Sequence, residues 1–217
     1  MGSYADDALF MSRNNIEYVE LISDDGKSKV MVIPAWQGRV MTTSAAGDEG
    51  DSYGWINYSF IKKRQIDLQF NPVGGEERFW LGPEGGVFSL YFRQGEKQIY
   101  KNWKVPPVLD IEAFKIQSQS KNCICLTKEG CLTNACGTTF YLNIKRTISL
   151  LDINEFAASF NLEFPKDIKA VAYKSDNQIT NIGNESWNKE TGLISVWMLS
   201  MFNPTSATTV FLSLIHI

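Results

Sequence analysis

The sequence predicts an all-β fold of antiparallel strands, and three observations carry that prediction. Apolar residues recur at every second position, turn residues recur between those stretches, and helical spacing is scarce. Ile66, Leu68 and Phe70 alternate with Asp67 and Gln69, and Phe140, Leu142 and Ile144 with Asn143 and Lys145. Phe156, Ala158, Phe160, Leu162 and Phe164 share one parity, opposite Ser159, Asn161 and Glu163. Successive side chains of a strand point to opposite faces, so such alternation marks one buried and one polar face. Many strands at short spacing, without helical spacers, indicate a sandwich or a barrel.

Taken in chain order, Ser3 and Asp6 stand three apart and predict a capped helix over roughly Ala5 to Arg13. Val19 to Ser23 and Lys29 to Ile33 read as a hairpin joined through Asp25 and Gly26. Gly47 to Gly54, and Glu129 with Gly130, are further turn signals. Cys123, Cys125, Cys131 and Cys136 follow a C-x-C, then C-x4-C spacing with no histidine near. Structural zinc sites favour C-x2-4-C pairs, so these are expected to be packed thiols, with no metal and no cofactor. Asp48, Glu49 and Asp51 lack the ligand spacing of a calcium loop.

Composition excludes several functions. The net charge is −3 and the longest basic run is Lys62, Lys63 and Arg64, so nucleic acid is not an expected partner. No apolar stretch reaches the roughly 18 residues of a transmembrane helix. The start, MGSYADDALFMSRNN, does not read as a signal peptide, and cytoplasm and periplasm both remain open.

One segment breaks the alternation. Residues 74–86 read GGEERFWLGPEGG, five glycines and one proline around Glu76, Glu77, Arg78, Trp80 and Glu84. Sugars are held by planar polar groups on their hydroxyls and by aromatic faces on their C–H surfaces. One reading is therefore a loop presenting Arg78, Trp80 and Glu84 in a cleft. The other is a conformationally demanding connection, with Arg78 paired to one of these glutamates and the others solvated. Trp80 is the best candidate platform among six tryptophans, Trp36, Trp55 and Trp197 being more ordinary core residues. Asn177 and Asn181 suit either sugar hydroxyls or turn capping.

At this segment the chain resembles an uncharacterised bacterial branch of the galactose mutarotase-like superfamily, which includes the aldose 1-epimerases. VIPAWQGRVMTTSAAG, SYGWIN, NPVGGEERFWLGPEGGVFSLYF, NWKVPPVLD and NQITNIGNESWNKETGLISVWMLSMFNP carry the resemblance. It implies a large two-sheet antiparallel sandwich with a carbohydrate cleft on its concave face, and a sugar or glycan ligand. Gly38 and Arg39 resemble the superfamily's early glycine–arginine element, against a surface ion pair as the plainer reading. Arg39, Arg78, Trp80, Glu84 and Asn181 are the expected ligand contacts.

The resemblance also implies a longer domain. Leu212 to Ile217 reads LSLIHI, which matches a translated sequencing adapter, or else an ordinary apolar strand. The expectation is one incomplete domain over 1–211 and an artefact over 212–217, leaving open strand edges that make the chain aggregation-prone. Mutarotation needs an acid at the ring oxygen and a base at the anomeric hydroxyl. The epimerases resemble one another in using histidine and a late glutamate, but the one histidine here is His216. Glu76, Glu77 and Glu84 are the remaining catalytic candidates. Two readings follow: a sugar-binding, epimerase-type protein, or a non-catalytic interaction domain on the same fold.

Overall fold

The structure is a computed structural model that describes residues 2–165 and 167–211. It is mainly β, with every strand pair antiparallel. The chain opens with a helix, α1 (Tyr4–Arg13), capped as the sequence requires: Asp6 N–H donates to the Ser3 hydroxyl and Ser3 N–H to the Asp6 carboxylate. Strands β1 (Val19–Ile22), β2 (Lys29–Ile33) and β3 (Arg39–Ser44) form the first sheet in that order. The predicted first hairpin is therefore present.

β2 and β3 are buried along their whole length. The alternation explains this. Val30, Val32 and Val40 face one core, while Met31, Ile33 and Met41 face a second core that Tyr4 and Met11 of α1 close from outside. A strand covered on both faces reads as a continuous apolar run, as in KVMVI.

Strand β4 (Arg78–Gly82) pairs with β9 (Ser195–Leu199). It joins the first sheet at a single bridge, where Val40 N–H and Glu77 C=O, and Glu77 N–H and Val40 C=O, exchange bonds of 3.1 and 3.0 Å. The other sheet runs β5 (Lys115–Gln119), β6 (Cys123–Thr133), β7 (Thr139–Leu150) and β8 (Tyr173–Asn181). One apolar cluster draws Val30, Val32, Val40, Phe79 and Leu81 from the first set of strands and Ile124, Leu126, Ile144 and Ile148 from the second. The remaining helices are short: α2 (Tyr58–Ile61), α3 (Pro107–Asp110) and α4 (Ile153–Ser159). Among the described residues no helix is long and apolar enough to cross a membrane.

Four sequence expectations are corrected. Residues 66–70 form no strand. The Asn71 side-chain amide accepts from Asp67 N–H and donates to Asp67 C=O, and the Asp67 carboxylate takes Gln69 N–H, so local bonds satisfy the backbone in place of a ladder. Ile66 and Leu68 are left 68% and 80% exposed. The Phe156 to Phe164 stretch begins as helix α4, because the Asp152 carboxylate caps Asn154 and Glu155, and Phe156 meets Phe160 one turn on. Glu129 and Gly130 are not a turn but lie inside β6, opposite Asn143 and Leu142. Finally, the segment 74–86 is not all loop, since β4 runs through its middle.

Gly54 marks the tightest approach in the fold. A Cβ there would come 2.0 Å from the Met41 carbonyl oxygen. Gly54→Ala is expected to cost about 2–3 kcal/mol in urea denaturation, while Gly2→Ala, whose nearest neighbour would be 3.6 Å away, stays within about 0.5 kcal/mol. Equal effects of the two changes would contradict the close approach.

Candidate functional site

The GGEERFWLGPEGG segment divides by depth. Its first part serves the interior. A Cβ at Gly74 would lie 2.4 Å from Trp55 O, and one at Gly75 2.5 Å from Arg39 Cδ. The glycine pair thus lets the chain cross Trp55 and make room for Arg39. That arginine is fully buried, not a surface ion pair, and its guanidinium donates to Gly74 O at 2.6 Å. Among the described residues it has no carboxylate partner.

Glu76 and Glu77 are also buried, so of the three glutamates only Glu84 is solvated. The Glu76 carboxylate accepts from Thr43 Oγ1 at 2.9 and 3.1 Å. Burial, more than any neighbour, pushes its pKa up to about 7. Glu77 pairs with Arg146 at 2.5 Å, across the space between β4 and β7. Arg78 does not pair with a glutamate of its own segment. Its Nη2 donates to Asp110 Oδ1 at 2.9 Å and to Leu109 O at 3.0 Å, both on α3. Asp110 in turn accepts from the backbone and side-chain amides of Asn71. Burial lowers the pKa of all three guanidiniums.

Trp80 is 3% exposed, which rules it out as an open platform. The Arg78 guanidinium lies over its ring at 4.0 Å. On it stacks Tyr91 at 5.5 Å, on Tyr91 stacks Trp103 at 5.5 Å, and on Trp103 stacks Tyr100 at 6.3 Å. The column thus runs from the interior to Tyr100, which is 75% exposed.

The second part of the segment reaches solvent. Trp80 Nε1 donates to Glu84 Oε1 at 2.7 Å, so a buried indole holds an exposed carboxylate in place. Trp80 stands directly opposite Trp197 in the β4–β9 ladder, and Gly82 opposite Ser195. Cross-strand partners share a face, and the two indoles lie 6.0 Å apart. Trp197 is 38% exposed. Because Gly82 lacks a side chain, Ser195 Oγ and Trp197 Nε1 sit close over it, a Cβ there meeting them at 2.8 and 3.7 Å. The result is an open ledge of Glu84, Ser195 and Trp197.

The sequence-predicted residues are therefore not brought together in a cleft. Arg39, Arg78 and Trp80 are buried, and Glu84 and Asn181, which lie in different parts of the surface, are the exposed ones. The two most apolar clefts lie elsewhere, one of about 380 Å³ beside Trp36 and Phe60, another of about 390 Å³ beside Phe92 and Leu132. Asn181 lines a third cleft with Tyr141 and Trp187, but its side chain is spent on Gly183 N–H and Glu185 C=O, the turn-capping role. Asn177 donates to Ser175 Oγ and Met198 Sδ. Cys125 and Cys136 donate to Gln117 and Asn134, and all four cysteines are free thiols. Sequence reasoning missed Asp110 and Arg146, and it assigned to the core Trp197, which is 38% exposed. The alternation of VWML opposite RFWLG was the one available signal for the last of them.

These features define a class: a mainly antiparallel β protein whose glycine-rich segment anchors a carboxylate beside an exposed indole. Over residues 2–216 the chain matches the model of a family of unknown function, DUF6786, and it belongs to that family. Comparison with curated proteins and with solved structures returned no match. His216 and the segment 212–217 lie outside the described residues.

Proposed function

We propose that the chain is a carbohydrate-binding protein of the galactose mutarotase-like kind, with its strands arranged as a two-sheet sandwich and its sugar on the Glu84–Trp197 ledge. The Trp80–Glu84 bond carries the reading. It fixes one carboxylate oxygen and leaves the other to accept from a sugar hydroxyl, while the exposed Trp197 indole offers a flat surface to the sugar's C–H face. The shared apolar cluster between the two sets of strands supports the sandwich.

Binding without turnover is favoured over epimerisation by one observation. Glu76 and Glu77 are buried in contacts with Thr43 and Arg146, so Glu84 is the one carboxylate of the three that meets solvent. Ring opening needs both an acid and a base at the sugar. A purely interacting domain remains the second reading.

Titration of monosaccharides and short glycans by calorimetry tests the proposal. At least one sugar is expected to bind with a Kd of about 1 mM, weakened about tenfold by Glu84→Gln or Trp197→Ala. The glutamine keeps an acceptor for Trp80 Nε1, so its loss reports the ligand and not the fold. Absence of binding across the panel would sink the carbohydrate reading. Polarimetry with the same sugars is expected to show no accelerated anomer exchange.

A further inference from the structure

The second apolar cleft has a chemistry that the sugar ledge does not use. Its volume is about 390 Å³, within the range of small-molecule sites. Its walls are Leu68, Phe92, Leu132 and the rigid pair Pro106 and Pro107. Leu68 is 80% exposed, because the 66–70 segment is held by local bonds and not drawn into a sheet.

Two cations, Arg93 and Lys104, also line the cleft, and no Asp or Glu does. Neither side chain has an ion pair among the described residues, although the chain as a whole carries a net charge of −3. Their reach is restricted at one end: Lys104 N–H is bonded to Tyr91 O, and Val105 N–H to Gln69 O, so the backbone of the rim is tied down on both sides. An acid-free apolar cleft with two unpaired cations is complementary to a molecule with a hydrocarbon body and one anionic head. The body leaves water against the leucines, phenylalanine and prolines, and the head gains charge-assisted bonds.

We propose that this cleft binds a small amphiphilic anion, with an apolar body and a carboxylate or phosphate head. None of Glu84, Ser195 and Trp197 lines this cleft. Cys131, an exposed thiol on the same lining, supplies a reporter.

The test titrates the whole chain with octanoate, octyl phosphate and octanol at low salt. Either anion is expected to bind at least about tenfold more tightly than octanol, and the tighter of the two identifies the head group. That advantage is expected to shrink as salt rises and to vanish in the Arg93→Gln/Lys104→Gln double variant, whose changes are on exposed side chains. Alkylation of Cys131, followed by peptide mapping against Cys123 and Cys136, is expected to slow at least threefold when the anion is bound. Anions that bind no better than octanol, an advantage that survives in the double variant, or undiminished Cys131 labelling would each overturn the proposal.

Discussion

Replacing Arg78 with methionine is expected to lower the unfolding free energy by about 3–5 kcal/mol. The side chains of Arg78 and Asp110 are 2% and 4% exposed, and they meet at 2.9 Å. Methionine fills much of the arginine's volume, so the cost is mainly electrical. Asp110 keeps its two bonds from Asn71 but loses its cation in a dry setting. Leu109 O loses its donor as well, and the Trp80 face loses the charge 4.0 Å above it. The double variant Arg78→Met/Asp110→Asn should recover a large part of the loss, because it removes the stranded charge along with its partner. Urea denaturation of the wild type, both single variants and the double variant closes the cycle. A loss below about 1 kcal/mol for Arg78→Met would show that water reaches this pair, and that the motif's arginine is not a structural element.

Glu76 supplies the second large effect, and its sign follows from linkage. Burial pushes its carboxyl up to about 7 in the fold, whereas an unfolded chain titrates near about 4.3. The folded state therefore holds this proton more firmly. Its contribution to stability is complete below the unfolded value and is lost as pH rises toward about 7. A shift of this size corresponds to about 3–4 kcal/mol. Glu76→Gln keeps an acceptor for Thr43 and cannot ionise, so it lacks the dependence. The difference in stability between wild type and Glu76→Gln is expected to move by about 3 kcal/mol between pH 4 and pH 8, with the wild type losing ground at the alkaline end. Parallel stability curves would mean that the carboxylate is solvated in the fold.

Both effects arise in a segment whose composition suits a ligand loop and a demanding structural connection equally well. Glycine, arginine, tryptophan and glutamate look alike whether they surround a sugar or surround one another. What separates the cases is depth. Arg78 is held by Asp110, thirty-two positions away, and Glu77 by Arg146, sixty-nine positions away. No local pattern announces such partners. Glu84 was legible as a candidate, and the structure keeps it at the surface. Its orientation by Trp80 Nε1 was not legible, since it depends on how the chain turns after β4.

The elements divide the same way. Helix α1 was readable because its cap, Ser3 with Asp6, is complete within four residues. The first hairpin was readable because Asp25 and Gly26 sit between two apolar runs. Residues 66–70 and 156–164 show the limit. Both alternate as strands do, yet side-chain bonds at Asp67 and Asn71 in one, and the Asp152 cap in the other, offer the backbone a nearer partner than a sheet.

The sequence alone determined that this chain is mainly antiparallel β, where its first helix starts, and which segment departs from the strand pattern, because those properties follow from side-chain periodicity and from bonds between near neighbours. Only the tertiary structure decided which charges of that segment are buried and which one meets water. Burial is a property of packing between distant strands, and an arginine beside a tryptophan has the same letters at the surface as in the core.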